Sequence, residues 1–400
     1  MSNDKLNFFK IASNGSQATI LKAIRDNNPI SRTGIVTLTG LPHAAVSRSA
    51  AILQEKNIVT ESPLTDINGP RRKRGLRLNP QFGYCLAIEY NSDFIEGVAV
   101  DTSYTAIIKK TEQVSLGSAA RSEKIEYLVS FFTKLKDSVS VPHGRCLGVA
   151  MVDPGIIDDK TGTVLMSTIL DDWNNVPLVR ILEERVKLPV MLLNTSMAKI
   201  RAIDRLELNS ASQNIIYVEY GHGIGCGLKL NSNYIPGETF LAGELGHVRI
   251  TDTPIACRCG GLGCLESVAA LPALVVSAKE RLTESCRSIL KDENHIDGQR
   301  VLLAAAKGDR LASHIVDEAF DYLGRAVAGI VNVLNPQMVV FDHTIDKAGK
   351  EAVTTLVRSL RKNTLASHAN SLETRISKLD SHVGTLGGAV AILDYSLDCR

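Results

Sequence analysis

Apolar positions in the first 80 residues recur at helical spacing in three short blocks, then alternate in two strand-like runs. Ser16 to Ile24 reads as a helix that stops near Asn27-Asn28-Pro29. Ser31 is placed to cap a second helix reaching about Leu38, and Gly40 supplies a tight turn. Leu41 to Leu53 predicts a third helix with Pro42 in its first turn. Val46, Ala50 and Leu53 face inward on that helix, while His43, Ser47 and Arg48 face outward. Asn57–Glu61 predicts a strand, Asp66–Pro70 a turn, and Arg71–Leu78 the return strand.

From Gln81 the pattern becomes strand-rich. Tyr84–Tyr90, Phe94–Asp101 and Thr105–Lys109 predict three strands. A helix near Lys124–Ser138 and a strand at Cys146–Val152 follow. A second strand block opens at Asn214–Tyr220, followed by the glycine-rich stretch Gly221–Gly227. Strand–helix alternation with hairpins indicates a mixed-sheet α/β body. At 400 residues the chain is too long for one ordinary core.

Charge sharpens the division between head and body. Residues 1–80 carry 12 Lys/Arg against 5 Asp/Glu, a net of +7, and the remainder carries −5. A short helix, a glycine turn, a helix with a polar N-terminal half and a basic hairpin make a winged helix-turn-helix. His43, Ser47 and Arg48 would enter the major groove of double-stranded DNA, with Ala44 and Ala45 allowing close approach. Arg71, Arg72, Lys73 and Arg74 would meet phosphates from the wing tip. No apolar run reaches 18 residues, so no membrane span is expected. The N-terminus shows no secretory pattern, and the expected location is the cytoplasm.

Three of the eight cysteines crowd into eight residues, at Cys257, Cys259 and Cys264. His247 precedes them in Gly243-Glu244-Leu245-Gly246-His247. His247, Cys257, Cys259 and Cys264 form a Cys₃His set, the ligand complement of a closed structural zinc, one per chain. All four positions are filled, which leaves no place for a catalytic water.

The stretch G-E-L-G-H followed by C-R-C-G-G-L-G-C-L-E resembles the signature of the ROK family of repressors, open reading frames and sugar kinases. The regulator branch of that family carries a winged helix-turn-helix in front. The resemblance implies residues 1–80 as that head and residues 81–400 as a two-lobed, actin-like (ribonuclease-H-like) ATPase-type domain. Lobe one would cover about 81–197 plus 381–400, and lobe two about 198–380 with the zinc loop. It also implies sugar in the cleft, with Asn194, Glu244, His247 and Glu266 contacting hydroxyls. A homodimer or homotetramer is expected, with recognition helices in successive major grooves of the operator.

The same resemblance marks where the chain departs from a kinase. Family kinases have Asn-Asp at the base position, where this chain has Asn194-Thr195. Their Asp-x-Gly-Gly-Thr phosphate loop corresponds to Glu89-Tyr90-Asn91-Ser92-Asp93, which has no glycine. A Gly-Gly near the nucleotide is replaced by Phe341-Asp342-His343, whereas Gly221–Gly227 keeps its pattern. The expectation is a DNA-binding repressor of carbohydrate-utilisation genes with a sugar-like effector and no enzymatic activity. The alternatives are an ATP-dependent sugar kinase, or a regulator controlled by a protein partner with a vestigial sugar site.

Overall fold

Local caps start the head helices. The Asn14 side chain accepts from the Gln17 N–H at 2.9 Å and opens α1, Gly15–Asp26. Ser31 does the same for α2, Arg32–Thr39, through the Gly34 N–H. Gly40 ends α2 in the left-handed region at φ 68°, where a side chain is strained. Pro42 stands at the N-cap of α3, His43–Glu55, one position before the first turn expected for it. Asn57 also takes the left-handed region, so β1 begins at Val59 rather than at Asn57. β1, Val59–Pro63, pairs antiparallel with β2, Arg74–Leu78, and their inner faces close a core of Ile20, Leu21, Ile24, Ile35, Val46, Ala50 and Leu53.

The structure is a computed structural model that describes residues 11–12, 14–64, 74–140, 144–167, 169–283, 285–292, 295–379 and 382–397. The wing tip, including Arg71, Arg72 and Lys73, lies outside the described residues. The chain packs as two units, residues 1–210 with 382–400, and residues 211–381.

In the first unit β3 (Gly83–Tyr90), β4 (Phe94–Asp101) and β5 (Ala106–Gln113) make an antiparallel meander. α4 (Arg121–Asp137) leads to β6 (Arg145–Asp153), parallel to β3. The hairpin of β7 (Ile156–Asp158) and β8 (Thr163–Met166) and then α5 (Leu178–Val186) precede β9 (Val190–Asn194), parallel to β6. The sheet order is β5-β4-β3-β6-β9. All eight residues of β3 are buried, as a strand covered on both faces requires. α6, Thr195–Ala202, follows and passes into a π-helical turn, Ile203–Glu207.

The second unit repeats this plan. β10 (Ile215–Tyr220), β11 (Ile224–Leu230) and β12 (Asn233–Tyr234) form the meander. Then come α7 (Leu265–Ala269), α8 (Leu271–Arg281), α9 (Gly298–Ala306), α10 (Arg310–Leu334), β13 (Met338–Phe341), α11 (Gly349–Asn363), α12 (Ala366–Ser371) and β14 (Glu373–Ile376). The order β12-β11-β10-β13-β14 is the same succession of two hairpins and two parallel pairs. α13, Val383–Leu397, returns to the first unit and packs on α6 and β6. No described helix is long and apolar enough to cross a membrane.

Candidate functional site

On α3 the inward stripe is Val46, Ala50 and Leu53, as the spacing predicts. His43 and Arg48 are exposed and Ser47 is half-buried. The Ser47 hydroxyl and His43 Nδ1 stand 3.4 Å apart, one helical turn from each other, so these two side chains share one edge of α3. Arg74, expected to meet phosphates with the other wing cations, keeps a largely exposed side chain whose Nη1 lies 3.5 Å from Glu61 Oε2. Glu61 Oε1 also accepts from Arg32 at 3.2 Å, and Arg32 reaches Gln54 Oε1 at 2.9 Å. The Arg32 hydrogen bond, with those of Arg74 and Gln54, holds the Glu61 carboxyl below its ordinary range. Wing, α2 and α3 are thereby tied together, a linkage that no local motif announces.

The metal-ligand cluster is built on sharp turns. Gly243 has φ 99°, and a Cβ there would overlap the Cys226 carbonyl, so β11 packs directly against the loop backbone. A 3₁₀ turn, Leu245–His247, then presents the histidine ring. Isolated bridges join Arg249 to Cys264 and Ala256 to Leu262, folding the loop back on itself. Gly263, at φ 71°, passes against the Thr251 carbonyl. The ligand atoms of His247, Cys257, Cys259 and Cys264 all lie within 4.8 Å of one another. Cys257 Sγ is 3.7 Å from His247 Nδ1, and Cys259 Sγ is 3.8 Å from Cys264 Sγ. A tetrahedron with metal–sulfur bonds of about 2.3 Å has edges of about 3.8 Å, so the donors stand at coordinating separation. The Gly261 backbone N–H lowers the Cys259 thiol, while burial pushes Cys264 up to about 12.

Two sets of expected effector residues are placed separately, one in each unit. In the first, Asn194 ends β9 and caps α6: Oδ1 accepts from the Ser196 N–H at 2.9 Å and Nδ2 donates to the Gly155 carbonyl at 3.1 Å. Gly155 is itself fixed by Asp153, whose carboxylate accepts from the Gly155 N–H at 2.7 Å, from Trp173 Nε1 at 3.0 Å and from the Tyr90 hydroxyl. Complete burial raises the Asp153 carboxyl even against these donors. In the second unit, Glu244 Oε2 lies 3.7 Å from His247 Nε2. Burial raises the Glu244 carboxyl, opposed by His247 and reinforced by Glu266 and Glu219. Glu266 Oε2 accepts from the Ile224 N–H at 3.2 Å, and Arg258 approaches its other oxygen at 3.5 Å.

Several turns are closed by their own side chains. Asn91 Oδ1 accepts from the N–H groups of Asp93 and Phe94 at 2.8 and 2.9 Å. The buried Thr195 hydroxyl donates to the Asp153 carbonyl at 3.3 Å. Asp342 is buried, accepting from the Thr344 N–H at 2.9 Å and the Tyr217 hydroxyl at 2.6 Å. The retained glycine pattern serves packing at Gly223, where a Cβ would stand 2.8 Å from Glu266 Oε2. Gly223 seats a carboxylate there, a use that the sequence pattern does not reveal.

Residues 85–394 match the ROK family. The chain is 28% identical over 382 residues to the xylose repressor of Caldicellulosiruptor bescii, covering 94% of this chain and 95% of that one. It is 32% identical over 249 residues to the glucokinase of Halalkalibacterium halodurans, covering 60% and 74%. A crystal structure of a ROK family transcriptional regulator, a homologue of the E. coli MLC protein, matches with a TM-score of 0.82 at 22% identity, covering 95% of this chain and 96% of that one. That likeness bears on the fold: N-terminal helices followed by a two-sheet, actin-like domain of the kinase type. The family match takes in nearly all of both five-stranded sheets, and this chain belongs to the ROK family.

Proposed function

We propose that this protein is a DNA-binding transcription regulator, a sugar-responsive repressor of carbohydrate-utilisation genes, without kinase activity. The observation that carries this reading is the head. A helix-turn-helix with an exposed Arg48 and a two-stranded wing stands in front of a ROK body. The xylose-repressor match covers 94% of the chain, too much to leave out an 80-residue head, whereas the glucokinase match covers 60%. His43, Ser47 and Arg48 are assigned to base edges, and Arg71, Arg72 and Lys73 to phosphates. Arg74 is assigned a lesser share because Glu61 already holds it.

Three local arrangements support the absence of phosphoryl transfer. Asn91 consumes the N–H groups that a phosphate loop would need free. Thr195 has no proton-accepting carboxylate and gives its hydroxyl to Asp153. Asp342 puts a carboxylate at a turn where a phosphate would be repelled.

Zinc is the metal the Cys₃His donor set fits. When bound it would be structural, holding Nδ1 of His247 and so directing Nε2 toward Glu244. Asn194 in the first unit, and Glu244, His247 and Glu266 in the second, are assigned to effector hydroxyls. Thr195 leaves that set one carboxylate short of a kinase, which makes the effector's identity the open variable and keeps a protein partner as the second reading.

A coupled ATPase assay across hexoses, pentoses and amino sugars, run beside selection of bound duplexes from a random pool, tests the proposal. Duplex binding without turnover supports it. Turnover abolished by Glu244→Ala would establish a kinase instead.

A further inference from the structure

The head of the first unit is fastened to its body by a ring of four charges. Arg25 donates from Nε to Asp26 at 2.8 Å and from Nη1 to Asp394 at 3.1 Å. Arg205 donates from Nη1 to Asp26 at 2.6 Å and from Nη2 to the two oxygens of Asp394 at 3.3 and 3.4 Å. The Tyr104 hydroxyl adds a bond to Asp394 at 2.6 Å. Each carboxylate thus accepts from both guanidiniums. The side chains are 5% exposed at Arg25, 12% at Arg205, 14% at Asp394 and 28% at Asp26. Two cations and two anions cancel, and removing one member strands a partly buried charge. Such a ring closes or opens as a whole.

Three segments meet in it. Arg25 and Asp26 end α1 of the head, Asp394 lies on α13, and Arg205 lies on the π turn that continues α6. A π turn carries an extra residue, and such turns recur at functional positions. Losing that residue would rotate the register by about 100°, one step of an α-helix, and carry Arg205 away from both carboxylates. The opposite end of α6 is Asn194, bonded to the Gly155 loop. α6 is also pressed against α13, since a Cβ on Gly387 would overlap the Ala198 carbonyl. The eight residues of α6 and the π turn that continues it therefore join Asn194 to Arg205.

We propose that the ring is a latch, and that Arg205 is the positioning residue through which the state of the Asn194 end of α6 reaches the head. This rests on the regulator reading for its purpose but not for its test. A displacement at Asn194 moves α6 along α13, shifts the π turn and opens the ring. The head then keeps, among the described residues, the backbone bond from the Ile11 N–H to the Ser396 carbonyl, the bond from the Thr102 hydroxyl to the Asn79 carbonyl, and the packing of Leu397 and Tyr104 against its core.

The test is a double-mutant cycle on the full chain, read as hydrogen exchange of the α1 amides. Asn194→Ala should speed α1 exchange by about 3-fold or more when Arg205 is present and add nothing once Arg205→Gln has opened the ring. Arg205→Lys, which keeps the charge, should restore part of the response. Asp394→Asn takes the place of Arg205→Gln should that variant not fold. An α1 helix indifferent to Asn194→Ala, or equally responsive in both backgrounds, overturns the latch. Absence of any bound duplex would overturn the regulator reading and leave this cycle's outcome intact.

Discussion

Gly387 of α13 lies flat against the carbonyl of Ala198 in α6, with no room for a Cβ between the two helices. Gly387→Ala must push backbone from backbone, because the obstructing atom is a carbonyl and not a yielding side chain. Overpacking of this kind costs about 1–3 kcal/mol. Gly329→Ala in α10 is the control, since nothing lies within 4 Å of its Cβ position. There the substitution should be neutral or gain up to about 1 kcal/mol in helix propensity. Urea midpoints of the two variants, compared with the parent, should move in opposite directions or differ by at least the overpacking cost.

What was legible in the sequence was local. The cap at Ser31, the turn at Gly40 and the Val46-Ala50-Leu53 stripe act over four residues or fewer, and short-range chemistry writes them into the chain. The Cys₃His cluster was legible because three of its ligands crowd into eight residues. The ring of Arg25, Asp26, Arg205 and Asp394 was not legible. Its members are up to 369 positions apart, and each alone reads as a solvated charge. Gly223 was legible only in part: glycine reports that something approaches closely, and the Glu266 carboxylate that does so lies 43 positions away.

Metal analysis should find about one zinc per chain, absent in Cys259→Ser. Chelation should lower the thermal midpoint by about 5 °C or more, because a structural zinc is worth several kcal/mol and each kcal/mol moves a unit of this size by about 2–4 °C. The loop from Gly243 to Glu266 should then become the first site of proteolysis, since outside the metal its closure rests on a few bridges such as Ala256 with Leu262. A metal-free chain with an unchanged midpoint counts against the assignment.

The head predicts different responses from different cations. Arg48→Ala, on the exposed face of α3, should weaken binding to the selected duplex by about 10-fold or more, the value of one good base contact. Neutralising Arg71, Arg72 and Lys73 should flatten the dependence of binding on salt, by about 0.9 in log–log slope for each phosphate that is no longer neutralised. Arg74→Ala should change the slope less than any of these three, because Glu61 already pairs with it. An equal effect at all four positions would show that the Glu61 pairing does not survive on DNA.

The latch also predicts a pH dependence with a definite sign. Around Asp26 stand Arg25, Arg205, Asp394 and the Tyr104 hydroxyl. Burial raises the Asp26 carboxyl, but the hydrogen bonds and charges of Arg25 and Arg205 outweigh it and hold the group below its ordinary range. A carboxyl depressed on folding contributes stability above its unfolded pKa, about 3.9, and loses that contribution as pH falls through the lower folded value. Asp26→Asn removes the titrating group while keeping the shape of the side chain. The gap in thermal midpoint between parent and variant should therefore be full from pH 7 down to about 5 and close below about pH 4. Arg25 and Arg205 stay charged throughout, so their loss cannot account for the closing. A gap that widens on acidification would mean that burial, not the arginines, governs Asp26, and the ring would then be a cost to the fold rather than its fastening.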